Sequence, residues 1–290
     1  MSQLVYCRFP ASLITVTRKV LVSALLWQLA APAQQLADSA VHPKLIPTLW
    51  VQTSEEWRAV CVQSFRLATH LLDQALRDKK WTAAVEQQDK YRNLPPAVVL
   101  DIDETVLDNS PSQAREVRRG GAFEATPWAQ WVSESAANAI PGAVEFCRYA
   151  ASRKVAIFMV SNRDAPMETA TRLNLTKLGF PNNDFPDSVL LRGEKPEWTS
   201  DKGTRRAWIA STHRILLLIG DDLGDFLSGV RTTVENRRAL TDAHADKWGR
   251  RWIMIPNPSY GSWEDAVYPE PRPETPAERL TRKLERLRTQ

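Results

Sequence analysis

The sequence predicts an α/β fold, a parallel sheet covered by helices on both faces, together with a small, mostly helical second lobe. Two observations predict it. Short apolar runs of strand length recur along the chain and end in polar or acidic residues, as buried parallel strands do. Segments with helical spacing lie between them, and that alternation closes into a parallel sheet. Length sets the bound: 290 residues, 43% apolar and 25% charged, suit one large domain or one domain with an elaboration.

The chain opens on the cations Arg8, Arg18 and Lys19, the apolar run Val20–Trp27, and Ala31-Pro32-Ala33. This is the pattern of an export signal over residues 1–33, cleaved before Gln34. The run is shorter than the roughly 20 residues of a membrane span, and an uncleaved anchor helix is the alternative. No cysteine follows it, so a lipid-modified terminus has no acceptor. The predicted domain fills 34–290, with its helical lobe drawn from about 50–80, 108–140 and the C-terminal segment.

Residues 34–50 carry prolines and little periodicity, and an extended lead-in is expected there. Thr53-Ser54-Glu55-Glu56 then reads as a capping box. Behind it Trp57, Val60, Cys61, Phe65, Ala68, Leu72 and Ala75 recur at helical spacing, so a long amphipathic helix packs on the main domain. Strands are predicted at 97–100, 155–160, 215–219 and 252–255, with a weaker one at 188–191. Pro141 and Pro166 are placed to start helices, and Gly179 to end the second. Thr275-Pro276-Ala277-Glu278 caps a last helix bearing Leu280, Leu284 and Leu287 on one face.

The net charge of +4 contains three cations, and no anions, from residues 1–33, so the remainder is near +1. That argues against a nucleic-acid polymer as partner. Cys7 lies in the signal. Cys61 and Cys147 sit in apolar helical patterns and read as buried thiols, with a disulfide after export left open. The eleven tryptophans read first as core filler.

Ligands of open parallel sheets bind at the carboxyl ends of the strands. Three strands here end in Asp101-Ile102-Asp103-Glu104-Thr105, Ser161-Asn162-Arg163-Asp164 and Gly220-Asp221-Asp222-Leu223-Gly224-Asp225. Lys202 precedes the third. Singly, each fragment is weak: loop carboxylates are usually solvated and a turn serine usually caps. Their order and placement carry the argument. Carboxylates, a hydroxyl and a lysine are the groups phosphoryl transfer requires.

Asp101-x-Asp103-x-Thr105-Val106 after an apolar strand resembles the first motif of the haloacid dehalogenase superfamily of phosphohydrolases, which have a Rossmann-like sheet. Ser161, Lys202 and the 220–225 run are similar to its second, third and fourth motifs. More narrowly, Leu107-Asp108-Asn109-Ser110-Pro111, Trp128-x-x-Trp131-Val132, Pro141-Gly142-Ala143-Val144-Glu145-Phe146 and Asn257-x-x-Tyr260-Gly261-x-Trp263-Glu264 resemble the class C, four-aspartate acid phosphatase/5′-nucleotidase lipoproteins. The likeness spans about residues 49–265.

The resemblance implies an acid phosphatase in which Asp101 is the nucleophile and Asp103 the general acid and base. It implies Mg²⁺ on the Asp101 carboxylate, the Asp103 backbone carbonyl and the Asp221 carboxylate, with Asp225 behind the metal or beside Lys202. Ser161, Asn162 and Lys202 would bind phosphate, with Arg163 a helper. Phe123 and Tyr260, then Trp128 and Trp131, would flank a nucleotide base. Expected partners are small phosphomonoesters and a second copy in a homodimer. The missing lipid-acceptor cysteine departs from the family and implies a periplasmic or secreted form. Sugar phosphates or broad specificity are the alternative, and a non-catalytic binding protein is the more distant one.

Overall fold

The computed structural model describes residues 42–290 apart from 89, 182–186, 269 and 271, so the expected signal over 1–33 lies outside the described residues. The first elements are the helices α1 (Leu45–Thr53) and α2 (Glu55–Arg77). Helix α1 corrects the extended lead-in expected up to residue 50. Pro47 falls in its first turn, where backbone N–H groups have no intrahelical partner to lose. The cap of α2 also shifts by one residue. Ser54 accepts from the Trp57 N–H at 3.0 Å, whereas Thr53 ends α1 and donates to the Leu49 carbonyl at 2.7 Å.

There follow β1 (Pro96–Leu100), β2 (Leu107–Asp108), α3 (Ser110–Arg119), α4 (Ala125–Glu134), β3 (Asn138–Ala139), α5 (Ala143–Ser152) and β4 (Ala156–Asp164). The second half adds α6 (Glu168–Leu178), β5 (Val189–Arg192), α7 (Gly203–Thr212), β6 (Arg214–Gly220), α8 (Val234–Asp242), β7 (Trp252–Met254), α9 (Ser262–Asp265) and α10 (Pro276–Glu285). Helix α5 begins two residues after Pro141. Gly142 stands before it at φ +91°, and an added Cβ would lie 3.0 Å from Phe65. Gly179 ends α6 in the left-handed conformation, as its placement predicts.

The five-stranded sheet runs β5-β4-β1-β6-β7, all parallel. Alternation along each strand explains the two layers. Val98, Leu100, Ile157, Met159 and Ile219 join a core with Cys61, Phe65 and Leu72 of α2 and Phe146 and Cys147 of α5. Ala97, Val99, Phe158, Val160 and Leu218 face the other way, onto Ile209 of α7, Phe226 and Trp252. Each fully buried large side chain contributes roughly 1.5–3 kcal/mol. Helix α2, within the 50–80 range assigned to the lobe, lies against β6, β7 and α5.

The short antiparallel pair β2–β3 forms a separate two-stranded sheet, while α3 lies against α1 and α4 against α6. Cys61 and Cys147 are buried free thiols. Burial pushes the Cys61 thiol up to about 12, with the Asp108 carboxylate adding to it. No described helix is long and apolar enough to cross a membrane.

Candidate active site

Strand order turns over at β1, with β4 on one side and β6 on the other, and Asp101 follows β1 at that point. Its backbone N–H donates to the Ile219 carbonyl of β6 at 2.9 Å. The chain then folds back on itself: the Val106 and Leu107 N–H groups both donate to the Ile102 carbonyl at 2.9 Å. Glu104 takes φ +58° in that turn, an uncommon conformation for a residue with a Cβ.

Lys202, at the start of α7, binds two carboxylates. Its ammonium donates to Asp101 Oδ1 and to Asp225 Oδ1, the second at 2.5 Å. Asp221, after β6, completes a group in which Asp101, Asp221 and Asp225 each place one oxygen within 4.8 Å of the others. Thr105 Oγ1 sits between them, 3.4 Å from Asp101 Oδ2 and 3.2 Å from Asp221 Oδ1. The Asn257 amide donates to Asp221 Oδ2 at 2.7 Å. Gly220 permits the close approach, because an added Cβ would lie 2.2 Å from Asp225 Oδ2.

The electrostatics follow from burying three carboxylates beside one ammonium. Burial pushes Asp101 up to about 7, Lys202 opposes it, and Asp225 and Asp103 add to it. Burial, then Asp101 and Asp225, hold Asp221 well above the usual carboxylate range. Burial alone would lower Lys202, but Asp101 and Asp225 keep its ammonium above the ordinary lysine range. An all-oxygen group with this surplus of negative charge fits a hard divalent cation.

Asp103 points into a different set of partners. It accepts from Asn109 Nδ2 at 2.9 Å, from the Ser161 hydroxyl at 3.1 Å, and from Arg163 Nη2 at 2.8 Å. Ser161 and Arg163 are thus brought to the residue expected to be the acid and base. Trp131 is buried, and its indole N–H donates to Asn109 Oδ1 at 2.8 Å, so it braces this cluster. The Arg163 guanidinium lies 5.5 Å from the Trp128 ring centroid.

Two buried arginines of α7 fix the frame. Arg205 donates to the Ser161 carbonyl at 2.5 Å, to Asn162 Oδ1 at 2.7 Å and to the Thr199 carbonyl at 2.7 Å. Burial lowers its guanidinium to about 10. Arg206 donates to the Gly224 and Asp225 carbonyls at 2.9 and 3.1 Å and pairs with Glu86 at 2.7 Å. Asn162, expected to bind phosphate, donates to the Ser200 carbonyl at 2.9 Å and so holds the loop before Lys202.

The aromatic residues divide. Phe123 is 62% exposed, with its ring 6.4 Å from that of half-buried Trp128. The Tyr260 hydroxyl donates to Glu104 Oε2, and Lys44 lies 5.6 Å from its ring centroid. Burial, then Asp103 and Asp108, keep Glu104 well above the usual carboxylate range. Sequence reasoning did not assign roles to Thr105, Asn109, Asn257, Arg205 or Arg206. Asn257 carried a signal, since it opens the Asn257-x-x-Tyr260 motif; the arginine pair carried none.

A parallel sheet whose central strand delivers a carboxylate to a lysine, a hydroxyl and two further aspartates defines a phosphohydrolase of the haloacid dehalogenase type. Residues 11–263 match the family described as HAD superfamily, subfamily IIIB (Acid phosphatase), and the chain belongs to that family. The class C acid phosphatase from Bacillus anthracis is similar at 33% identity and a TM-score of 0.75, over 88% of this chain and 99% of that one. The same Bacillus anthracis enzyme with tungstate bound is similar at 32% identity and a TM-score of 0.75, over the same shares.

Proposed function

We propose that this acid phosphatase is exported, depends on Mg²⁺, and hydrolyses nucleoside 5′-monophosphates through a phosphorylated Asp101. The observation that carries the chemistry is the Lys202 ammonium shared by Asp101 and Asp225, with Asp221 closing the oxygen cluster. Asp101 and Asp221 would hold the cation, with the Asp103 carbonyl a further donor and Asp225 behind them on Lys202. When bound, it offsets the charge of carboxylates and phosphate dianion, so that one anion can approach another.

An Asp101 oxygen forms a bond to phosphorus as the bond to the ester oxygen breaks. The carboxyl of Asp103 gives its proton to the departing oxygen. It then takes a proton from the water that attacks phosphorus, and the bond to Asp101 breaks to release phosphate. A phosphoryl group beside Asp101 takes the Ser161 hydroxyl as donor, which removes one of the partners of Asp103. Lys202 stabilises charge on the transferring group.

The oxyanion named with the Bacillus anthracis relative, tungstate, supports a phosphoryl-sized group as the ligand. The Phe123–Trp128 pair near the Arg163–Asp103 contact supports a base in stacking contact. The basic and apolar N-terminal pattern with Ala31-Pro32-Ala33 supports export. The test is phosphate release from 5′-AMP with Mg²⁺ and with chelator, beside Asp101→Asn and a sugar phosphate. Metal-dependent turnover favouring 5′-AMP is expected. Equal or better turnover of the sugar phosphate would remove the nucleotide claim and leave the phosphatase.

A further inference from the structure

Helix α10 buries none of its residues. It is secured locally: Thr275 accepts from the Glu278 N–H at 3.2 Å, Glu278 accepts from the Thr275 N–H at 3.0 Å, and Pro276 occupies the first turn. Leu280 and Leu284 are each 58% exposed, and Leu287 just beyond is 68% exposed. Their i, i+4, i+7 spacing puts them on one face.

Two ion pairs tie it to the body. Lys283 meets Glu264 at 2.6 Å and Arg286 meets Glu235 at 3.4 Å. A charged edge therefore moors the helix while the leucine face stays in solvent. Residues 276–290 contain five cations against Glu278 and Glu285; Lys283 and Arg286 hold the body, Arg282 pairs with Glu285 at 3.2 Å, and Arg279 and Arg288 flank the leucine face.

We propose that α10 is a lipid-docking helix that seats this enzyme on an anionic membrane surface. Leucines flanked by arginines are the chemistry of a helix lying in the interface, with apolar side chains among acyl chains and cations at the headgroups. A second copy of the chain fits this face less well. Ten residues span about 15 Å, too short for the roughly 800 Å² per partner of a stable interface. Pairing two such helices would also bring their arginine-rich flanks together, whereas an anionic surface complements them. One short helix gives reversible, salt-sensitive binding.

The test is co-sedimentation of the full chain with vesicles of phosphatidylcholine mixed with phosphatidylglycerol, and with phosphatidylcholine alone. The parent should partition to the anionic vesicles and lose binding as salt rises. Leu280→Glu with Leu284→Glu should cut that partition by about tenfold, with phosphatase turnover unchanged as proof of folding. No binding by the parent overturns the proposal, and so does undiminished binding by the double variant, which would credit another segment. A dimer seen by light scattering that the double variant splits, without vesicle binding, overturns it in favour of a second copy.

Discussion

Arg163 grips Asp103 through two nitrogens, Nη2 at 2.8 Å and Nε at 3.0 Å from the same Oδ1, while its Nη1 donates to Thr171 Oγ1 at 3.0 Å. The guanidinium side chain is 1% exposed and the Asp103 side chain 16%. This geometry fixes the direction of a carboxylate that sits two residues beyond Asp101, the proposed nucleophile.

Arg163→Lys keeps the charge and loses the planar fork. Turnover should fall by about tenfold to a hundredfold through misplacement of Asp103. The fall should appear in kcat, with an altered pH profile, and KM should move little. Steady-state kinetics across pH would check this, and a kcat within twofold of the parent would count against a positioning role.

Asp101→Asn removes the carboxylate proposed to attack phosphorus and leaves Lys202 its bond to Asp225. Phosphate release should drop below about a thousandth of the parent, with unchanged far-UV circular dichroism. Retained turnover would displace Asp101 as nucleophile.

Asn257→Ala frees the Asp221 oxygen now held at 2.7 Å. Partners that orient a metal-binding carboxylate are worth about 10–100-fold in metal affinity. The concentration of Mg²⁺ giving half activity should rise by that factor while activity at saturating Mg²⁺ changes less. An unchanged metal titration would deny Asn257 this role.

The site also predicts the pH dependence of stability in chelator. Burial holds Asp101 up at about 7 and Asp221 well above its ordinary 3.8, where the unfolded chain titrates. Between about pH 4 and 7 the folded state holds the extra protons, so these groups lower stability as pH rises. Lys202 is held above its ordinary 10.5, so its contribution is intact throughout this window and is lost only at higher pH. Scanning calorimetry should find the fall in Tm across the window smaller in Asp221→Asn than in the parent. Equal slopes would contradict the assignment.

Gly220→Ala would force a methyl group to within 2.2 Å of Asp225 Oδ2. Relief requires displacing a carboxylate bonded to Lys202, so stability should fall by about 1–3 kcal/mol and turnover with it. Urea titration and phosphate release on the same sample would test both.

The sheet was legible in the sequence because each strand is an apolar run of the right length, and Gly179 marked a helix end unaided. Helix α1 was hidden because Pro47 argues against a helix unless it falls in the first turn, which only the boundary at Leu45 reveals. Asp101, Asp221 and Lys202 were legible from motif order. Ser161 was legible by type only, since nothing in a one-dimensional pattern says that its hydroxyl donates to Asp103. Arg205 and Arg206 could not be read, because a helical basic pair looks the same whether solvated or fully buried.

Those two arginines carry a consequence for how such an enzyme can change over time. Arg205 ties the end of β4 to the loop before Lys202, and Arg206 ties α7 to the turn carrying Asp225. Phe123 and Trp128 hang on a separate stretch of chain, around α4. That stretch is not isolated from the cluster: Trp131 of the same helix donates to Asn109, and the Trp128 ring lies 5.5 Å from the Arg163 guanidinium, so exposed Phe123 is the position there where change disturbs the frame least.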